Sequence, residues 1–237
     1  MRPTASPTAI PRTSQDVAEF YDKLIFPSRG AHPAYADLVP REPGERIGEF
    51  GCGQSLLHET LRLHRPSPVF LDISRNALRT IEYGVRVQAD LCRLPFRSAT
   101  YDRIVCIGVL HHFPDRAPAL GEIARVLKPG GRLILGVYAP GTIQSRLRRL
   151  YEMWKFWPWR SLVVSGTRLL IDARYRSEGT RLDPEDVRRR ARDLLEVPYV
   201  EYTAAQQYVR EAEAVGFRGE SQGRIASMNI LHLVRSA

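Results

Sequence analysis

Short apolar runs alternate with helical patterns from residue 46 to residue 138, and this alternation constrains the fold more than any other feature of the sequence. The runs that predict strands are Arg46–Phe50, Val69–Leu71, Val85–Gln88, Tyr101–Ile107 and Gly131–Tyr138. Helical patterns begin near Ser55, Ser74 and Asp115. Strands that alternate with helices form a parallel sheet covered on both faces. We therefore predict a doubly wound α/β fold.

The end of the chain returns to this pattern. Strand candidates near Arg218–Ile225 and Asn229–Arg235 predict a closing hairpin. The helix before them has a capping-box pattern from Thr203 to Gln206, and Gly216 is placed to end it.

Residues 141–200 interrupt the alternation and predict a helical insertion or lid. Its first helix carries one apolar stripe, and Pro158 is expected to end that helix. The stripe consists of Ile143, Leu147, Leu150, Tyr151 and Trp154. A second helix is predicted to open at Asp183, where an acid precedes a proline.

Composition excludes several classes of protein. Hydrophobic residues make up 43% of the 237, enough for a sizeable core. Three cysteines without a C-x-x-C pair argue against a disulfide scaffold and against a metal site, and favour a reducing compartment. We expect no secretory signal and no membrane span, and hence a cytoplasmic protein. Residues 1–45 are interpreted as a mobile tail (1–13) followed by a lead-in or lid, and residues 46–237 as the main domain.

The net charge of +9 is concentrated in one segment. Residues 143–192 hold 13 basic and 6 acidic side chains, so the rest of the chain is nearly neutral. Within it, residues 146–160 contain all three tryptophans. Such a segment suits a lid whose tryptophans pack on the body, a pocket for an anionic or lipid-like ligand, a membrane interface, or an RNA surface.

A glycine-rich turn follows the first predicted strand, in the order Glu49-Phe50-Gly51-Cys52-Gly53-Gln54-Ser55. Glycines let the backbone approach a ligand, and a helix N-terminus offers free N–H groups to an anionic part of it. A nicotinamide-dinucleotide site would need a third glycine at position 56, which is leucine. A tight turn without a ligand remains the alternative.

Two acids follow the next two strands. Asp72 ends strand two, where a carboxylate can accept both hydroxyls of an adenosine ribose. Asp90 follows strand three and can accept a hydrogen bond from an adenine amino group. A helix cap for Asp72 and a turn for Asp90 are the alternatives. Strand four ends in Ile107 and is followed by His111 and His112, and Pro129-Gly130-Gly131 precedes strand five.

In this order and spacing, the chain resembles the class I S-adenosylmethionine-dependent methyltransferases, and most closely their small-molecule and ubiquinone-biosynthesis branch. The resemblance covers residues 46–138 well and 200–235 loosely. It implies a seven-stranded, mostly parallel sheet whose last strand is antiparallel, with S-adenosylmethionine as cofactor.

The resemblance also implies a role for each motif. Glu49, Gly51 and Gly53 would face the methionine part of the cofactor. Asp72 would hold the ribose, and Asp90 with the Leu91 backbone would bind the adenine. The site would be completed by Cys52, Gln54, Ile73 and Ile107. The family's third glycine is Ser55 here, whose hydroxyl is a candidate donor to the methionine carboxylate, and its usual aliphatic residue before the acid is Gly48.

The acceptor side is less determined by the sequence. His111 and His112 are candidates for a general base, because a near-neutral imidazole suits that role. Packing beside the cofactor is the alternative for both. Tyr21 and Tyr35 could close over the cofactor as a lid or belong to the core.

We therefore expect a methyltransferase that acts on a small molecule, lipid-like or a specialised metabolite. The alternatives are a cyclase or decarboxylase that keeps the cofactor, an RNA methyltransferase, or a protein that binds membranes through residues 146–160. RNA is disfavoured because no RNA-binding module is recognisable, and no DNA partner is expected.

Overall fold

The fold is built on a single seven-stranded sheet. The computed structural model describes residues 14–24, 33–39, 44–154, 159–177, 181–225 and 227–237. The strands are β1 (Ile47–Phe50), β2 (Val69–Asp72), β3 (Val85–Gln88), β4 (Tyr101–Ile107), β5 (Leu127–Tyr138), β6 (Phe217–Ile225) and β7 (Met228–Arg235). All five predicted inner strands and both strands of the closing hairpin are present.

The strand order is β3-β2-β1-β4-β5-β7-β6. Strands β1 to β5 pair in parallel, and β7 runs antiparallel to both β5 and β6. This arrangement confirms the predicted doubly wound sheet with a reversed last strand. The inner strands β1 and β2 are buried along their whole length, as apolar runs in a parallel sheet require.

Helices cover both faces of the sheet. They are α1 (Ser14–Lys23), α2 (His58–Leu61), α3 (Arg75–Leu78), α4 (Ala117–Val126), α5 (Ile143–Trp154), α6 (Arg160–Ser177), α7 (Pro184–Glu196) and α8 (Ala205–Glu213). Helices α4 and α8 share one apolar core with the sheet. Helices α2 and α3 share the other with a short 3-10 helix, Pro33–Leu38. A second 3-10 helix, Leu110–His112, follows β4.

Several predicted helix ends are confirmed by their hydrogen bonds. The Ser74 hydroxyl accepts from the Ala77 amide at the start of α3. The Asp183 carboxylate accepts from the Glu185 amide at the start of α7. Gly216 has a φ of +94° and donates its amide to the Glu213 carbonyl.

Other predicted ends are wrong. Helix α8 begins at Ala205 without a side-chain cap, because the Thr203 hydroxyl donates to the Glu201 carboxylate instead. Strand β5 begins at Leu127 rather than at Gly131, directly after helix α4 ends at Val126. The end expected at Pro158 and the tail at 1–13 lie outside the described residues.

Three helices, α5 to α7, lie between β5 and α8, where the insertion was predicted. The pattern had indicated two, and α6 is additional. The stripe on α5 faces largely outward: Ile143 is 54%, Leu150 42% and Trp154 40% exposed. Tyr151 is buried, together with Arg148, which donates to the Leu195 carbonyl. No helix among the described residues combines the length and the apolar character that crossing a bilayer would require.

Candidate functional site

A cavity of about 360 Å³ opens where the carboxyl ends of β1, β2 and β4 meet. The chain turns from β1 toward β2 on one side and later adds β4 on the other, so this is the switch point of the sheet. Ligands of open α/β sheets bind at such a point. The volume falls in the range of roughly 300–1,000 Å³ that is usual for small-molecule pockets.

The glycine turn after β1 forms one wall of this cavity. Gly51 has a φ of +68°, and a Cβ there would lie 2.2 Å from the Val109 side chain, so the fold itself demands glycine. Gly53 has a φ of +54°, and a Cβ there would meet no protein atom within 4 Å. Because Gly53 has no side chain, this space stays open, and a ligand in the cavity can contact the Gly53 backbone.

Glu49 and Ser55 hold this turn from beneath. The buried carboxylate of Glu49 accepts from the Ser55 hydroxyl at 2.5 Å and from the Leu56 amide at 2.9 Å. Burial is the main reason why the pKa of Glu49 rises to about 7. Neither residue lines the cavity. The Ser55 hydroxyl expected to donate to the methionine carboxylate therefore donates to Glu49 instead.

Asp72 connects the end of β2 to the glycine turn. Its carboxylate accepts from the Gly53 amide at 2.7 Å and from the Ser74 amide at 2.8 Å. Each carboxylate oxygen has two lone pairs, so an oxygen that accepts from a backbone amide can also accept from a ligand hydroxyl. Asp72 also lines the cavity, so one side chain both shapes the turn and faces the ligand space.

Asp90 stands on the opposite side of the cavity, after β3. Its Oδ1 accepts from the Cys92 amide at 2.9 Å, as in the turn that was the alternative interpretation, and the residue also lines the cavity. Leu91 lies beside it, and Phe113 adds an aromatic wall.

The structure brings nearly all the predicted cofactor residues together. Gly51, Cys52, Gly53, Gln54, Asp72, Ile73, Asp90, Leu91 and Ile107 all line this cavity, whereas Glu49 lies behind it. The lead-in helix α1 also contributes Val17 and Tyr21, and Leu24 follows it. Of these three, the sequence had suggested only Tyr21.

A second cavity of about 270 Å³ adjoins the first. Five residues line both: Tyr21, Leu56, Ile107, Gly108 and His112. The insertion forms its outer wall through Ile171, Arg174 and Tyr175 of α6 and Arg190, Asp193 and Leu194 of α7. The polar residues of this wall were missed because they belong to helices that the sequence presented only as a lid.

Tyr21 links three separate elements at the boundary of the two cavities. Its hydroxyl lies 2.9 Å from Nε2 of His112 and donates to Asp193 at 3.0 Å. Nδ1 of His112 lies 2.7 Å from the Tyr199 carbonyl, an acceptor only, so Nδ1 carries the proton. When His112 is neutral, Nε2 can accept a hydrogen bond from the Tyr21 hydroxyl. When His112 is protonated, Nε2 donates to the Tyr21 oxygen, and the Tyr21 hydroxyl donates to Asp193.

His111 occupies a different position from His112. It is 1% exposed and lines only the second cavity, where its ring centroid lies 4.5 Å from that of Tyr138. Tyr35 is also buried beside this cavity, and its hydroxyl lies 3.6 Å from the Met228 sulfur. His112 is therefore the histidine that reaches both cavities.

Comparison with known families agrees with this geometry. A family model described as a methyltransferase domain matches residues 48–135. This range contains the glycine turn, both acids and the end of β4. Residues 48–135 of this chain therefore form a methyltransferase domain.

Relatives of this methyltransferase domain act on different acceptors. The chain is 35% identical over 146 residues to "Probable tRNA methyltransferase 9B" of Mus musculus, covering 57% of this chain and 30% of that protein. It is 30% identical over 137 residues to 27-O-demethylrifamycin SV methyltransferase of Amycolatopsis mediterranei, covering 51% and 50%. It is also 30% identical over 121 residues to ubiquinone biosynthesis O-methyltransferase of Xylella fastidiosa, covering 46% and 49%. The chain thus spans half or less of the length of these curated relatives.

A solved structure shares the fold over most of this chain. The S-adenosylmethionine-dependent methyltransferase of Mesorhizobium loti superposes with a TM-score of 0.57 at 16% identity, covering 86% of this chain and 96% of that one. The residues present fit the cofactor, because the open face of Gly53 and the carboxylates of Asp72 and Asp90 surround one cavity. S-adenosylmethionine supplies a methyl group already activated by a sulfonium.

Proposed function

We propose that this chain transfers a methyl group from S-adenosylmethionine to a small-molecule acceptor held in the second cavity. The observation that carries the proposal is the shared boundary of the two cavities, formed by Tyr21, Leu56, Ile107, Gly108 and His112. Two ligands that meet at such a boundary can be aligned for direct displacement, which is the main task of the protein when the donor is already activated.

The residues of the chain divide this task. Asp72 and Asp90 would bind the hydroxyls and the base of the adenosine, and the glycine turn would receive the methionine part. Apolar residues at the boundary, Leu56 and Ile107, would exclude water from the reacting atoms. Helix α1, which carries Tyr21, would cover the cofactor as a lid.

The lining of the second cavity favours a flat acceptor with an acidic group. It contains five tyrosines: Tyr21, Tyr35, Tyr138, Tyr175 and Tyr202. It also contains two guanidinium groups, of which Arg190 lies 4.7 Å from the ring centroid of Tyr175. Aromatic walls accept planar molecules, and guanidinium groups bind carboxylates or phosphates.

His112 is positioned to take up a proton from such an acceptor through Tyr21, whose hydroxyl would pass its own proton to Nε2 and receive the proton of the acceptor. Its Nε2 lies at the boundary of the two cavities, and the Tyr199 carbonyl fixes the tautomer that leaves Nε2 free of a proton in the neutral ring. A proton taken up there would be stabilised by Tyr21 and, through it, by the Asp193 carboxylate. We expect His112→Gln to lower the turnover of an acceptor that must be deprotonated by ~100-fold.

Transfer of a labelled methyl group tests the function. The chain is incubated with methyl-labelled S-adenosylmethionine and, separately, with a metabolite extract and with total tRNA. Label in the small-molecule fraction, with release of S-adenosylhomocysteine, supports the proposal. Label in the tRNA instead would overturn it in favour of the activity named for the mouse relative. A rearranged product without transferred label would indicate a cyclase or decarboxylase.

A further inference from the structure

Exposed apolar side chains are concentrated on helices α5 and α6 and at Trp159, which precedes α6. Among the described residues, eight of the ten large exposed hydrophobics lie between positions 143 and 170. They are Ile143, Leu150, Met153, Trp154, Trp159, Leu162, Leu169 and Leu170. We call these eight residues the apolar face. Single exposed apolar residues are ordinary, but a group of this kind marks an interaction site.

On α5 the exposed residues form a continuous stripe. Ile143, Leu150 and Trp154 recur at intervals of seven and four, and Met153 lies beside them at 67% exposure. The inward side of α5 is already occupied, because Tyr151, at the edge of the stripe, is buried and Arg148 bonds to the Leu195 carbonyl. In the exposed stripe, 40–67% of the surface of each side chain is left uncovered by the protein.

On α6 the same division recurs. Leu162 and Leu169, seven residues apart, are 59% and 70% exposed, while Thr167 is fully buried. The inward side contributes Ile171 and Tyr175 to the second cavity. Helix α6 thus separates the cavity from an outward apolar surface.

Basic residues accompany the apolar face. Residues 143–177 contain eight basic and two acidic side chains. Both acids lie within hydrogen-bonding distance of arginines of their own helix, Glu152 with Arg148 at 2.6 Å and Asp172 with Arg176 at 2.9 Å. Arg146 and Arg149 of α5 are exposed next to the stripe. The surface is therefore apolar and cationic at once.

We propose that the apolar face of α5 and α6 binds the surface of an anionic lipid bilayer. Helices that lie in a membrane interface combine a buried apolar stripe with flanking arginines, and tryptophan favours the same depth. The aliphatic leucines and isoleucine favour lipid over RNA, because RNA is bound by stacking and by phosphate contacts. A second copy is disfavoured, since a two-fold interface would bring two cationic surfaces together.

Vesicle sedimentation with the full chain tests this proposal. We expect binding to phosphatidylcholine vesicles that contain phosphatidylglycerol, and at least ~10-fold weaker binding to phosphatidylcholine alone, since cationic residues near a surface each add affinity for anionic lipid. The variant Met153→Ser/Leu162→Ser/Leu169→Ser should lose at least ~10-fold of the vesicle affinity, because three exposed side chains no longer enter the interface.

The matched control replaces exposed apolar residues elsewhere, Leu63→Ser/Val85→Ser, at 83% and 51% exposure. It should bind vesicles as the wild type does. Both variants should keep the wild-type melting temperature and affinity for S-adenosylmethionine, so that loss of lipid binding is not loss of folding or of the proposed methyltransferase site. The proposal is overturned if the wild type does not bind anionic vesicles, or if the triple variant and the control variant bind them with the same affinity. Concentration-dependent dimerisation abolished by the triple variant would assign the face to a second copy instead.

Discussion

The Ser55 hydroxyl donates to the buried Glu49 carboxylate across 2.5 Å, although the Ser55 backbone has a φ of +63°. Serine rarely adopts this left-handed conformation, and the related family has glycine at this position. The hydrogen bond offsets the backbone strain and connects the end of β1 to the glycine turn that lines the first cavity. The departure from the family pattern thus has a structural function.

Substitution of Ser55 separates the two effects. Ser55→Ala keeps the strain and leaves Glu49 short of a donor, so we expect a loss of about 2 kcal/mol in the free energy of unfolding. Ser55→Gly loses the same bond but relieves the strain, and should be more stable than Ser55→Ala by about 1 kcal/mol. Urea unfolding measures both. Equal stability of the two variants would show that the backbone is not strained.

The titration of Glu49 should lower the free energy of unfolding as the pH rises. Its pKa increases from an ordinary 4.5 to about 7 in the folded chain, because burial disfavours the charge. Below pH 4.5 Glu49 is protonated in both the folded and the unfolded state, so it does not lower the free energy of unfolding. Between pH 4.5 and 7 the unfolded state ionises first, so the folded state binds more protons and loses stability.

Comparison with Glu49→Gln isolates this contribution, because other titrating groups cancel in the difference. We expect the unfolding free energy of Glu49→Gln to rise relative to the wild type by about 3 kcal/mol between pH 4.5 and 7, since one pKa unit corresponds to ~1.4 kcal/mol. Urea unfolding at intervals across this range measures the difference. A difference that stays constant would contradict the raised pKa.

The two glycines of the turn should respond differently to alanine. Gly51→Ala drives a Cβ to 2.2 Å from Val109 and should destabilise the fold, and Val109→Ala in the same chain should restore part of the loss. Gly53→Ala meets no protein atom. It should cost about 1 kcal/mol through its positive φ but weaken S-adenosylmethionine binding by ~10-fold or more. Melting curves and calorimetry distinguish the two; a Gly53→Ala chain with wild-type affinity would refute a ligand at this wall.

The hydroxyl of Tyr21 should stabilise the lead-in helix α1 against local opening. Tyr21→Phe removes the bonds to His112 and Asp193, each worth about 1 kcal/mol, so the amides of α1 should exchange with deuterium at least ~10-fold faster. Amides of α4 serve as an internal reference, and S-adenosylmethionine should slow exchange of α1 in the wild type. Unchanged exchange of α1 in the variant would mean that other contacts hold this helix.

The sequence predicts those features that depend on residues close together along the chain. Buried parallel strands require apolar runs, and the turns at their ends require Gly51, Gly53, Asp72 and Asp90 at fixed distances along the chain. The parallel sheet and the lining of the first cavity could therefore be predicted. The helix α6 could not, because Gly166 and the adjacent valines Val163 and Val164 are poor helix formers, and tertiary packing overrides that preference.

The second cavity could not be predicted from the sequence, for a different reason. Tyr21 and Asp193 are separated by 172 residues and Tyr21 and His112 by 91, so no local pattern records their contact. The outward orientation of the α5 stripe was equally hidden. Periodicity shows that apolar residues share one side of a helix but not whether that side faces the protein or the solvent.

Titration calorimetry with S-adenosylmethionine tests whether the first cavity binds the cofactor. We expect the wild type to bind S-adenosylmethionine, and Asp72→Ala and Asp90→Ala each to weaken binding by ~10-fold or more, because each removes hydrogen bonds to the adenosine. Asp102→Asn, which changes a carboxylate paired with Lys128 outside the cavity, should bind as the wild type does. A wild type that takes up no S-adenosylmethionine, or two alanine variants that bind it with unchanged affinity, would contradict the assignment of this cavity.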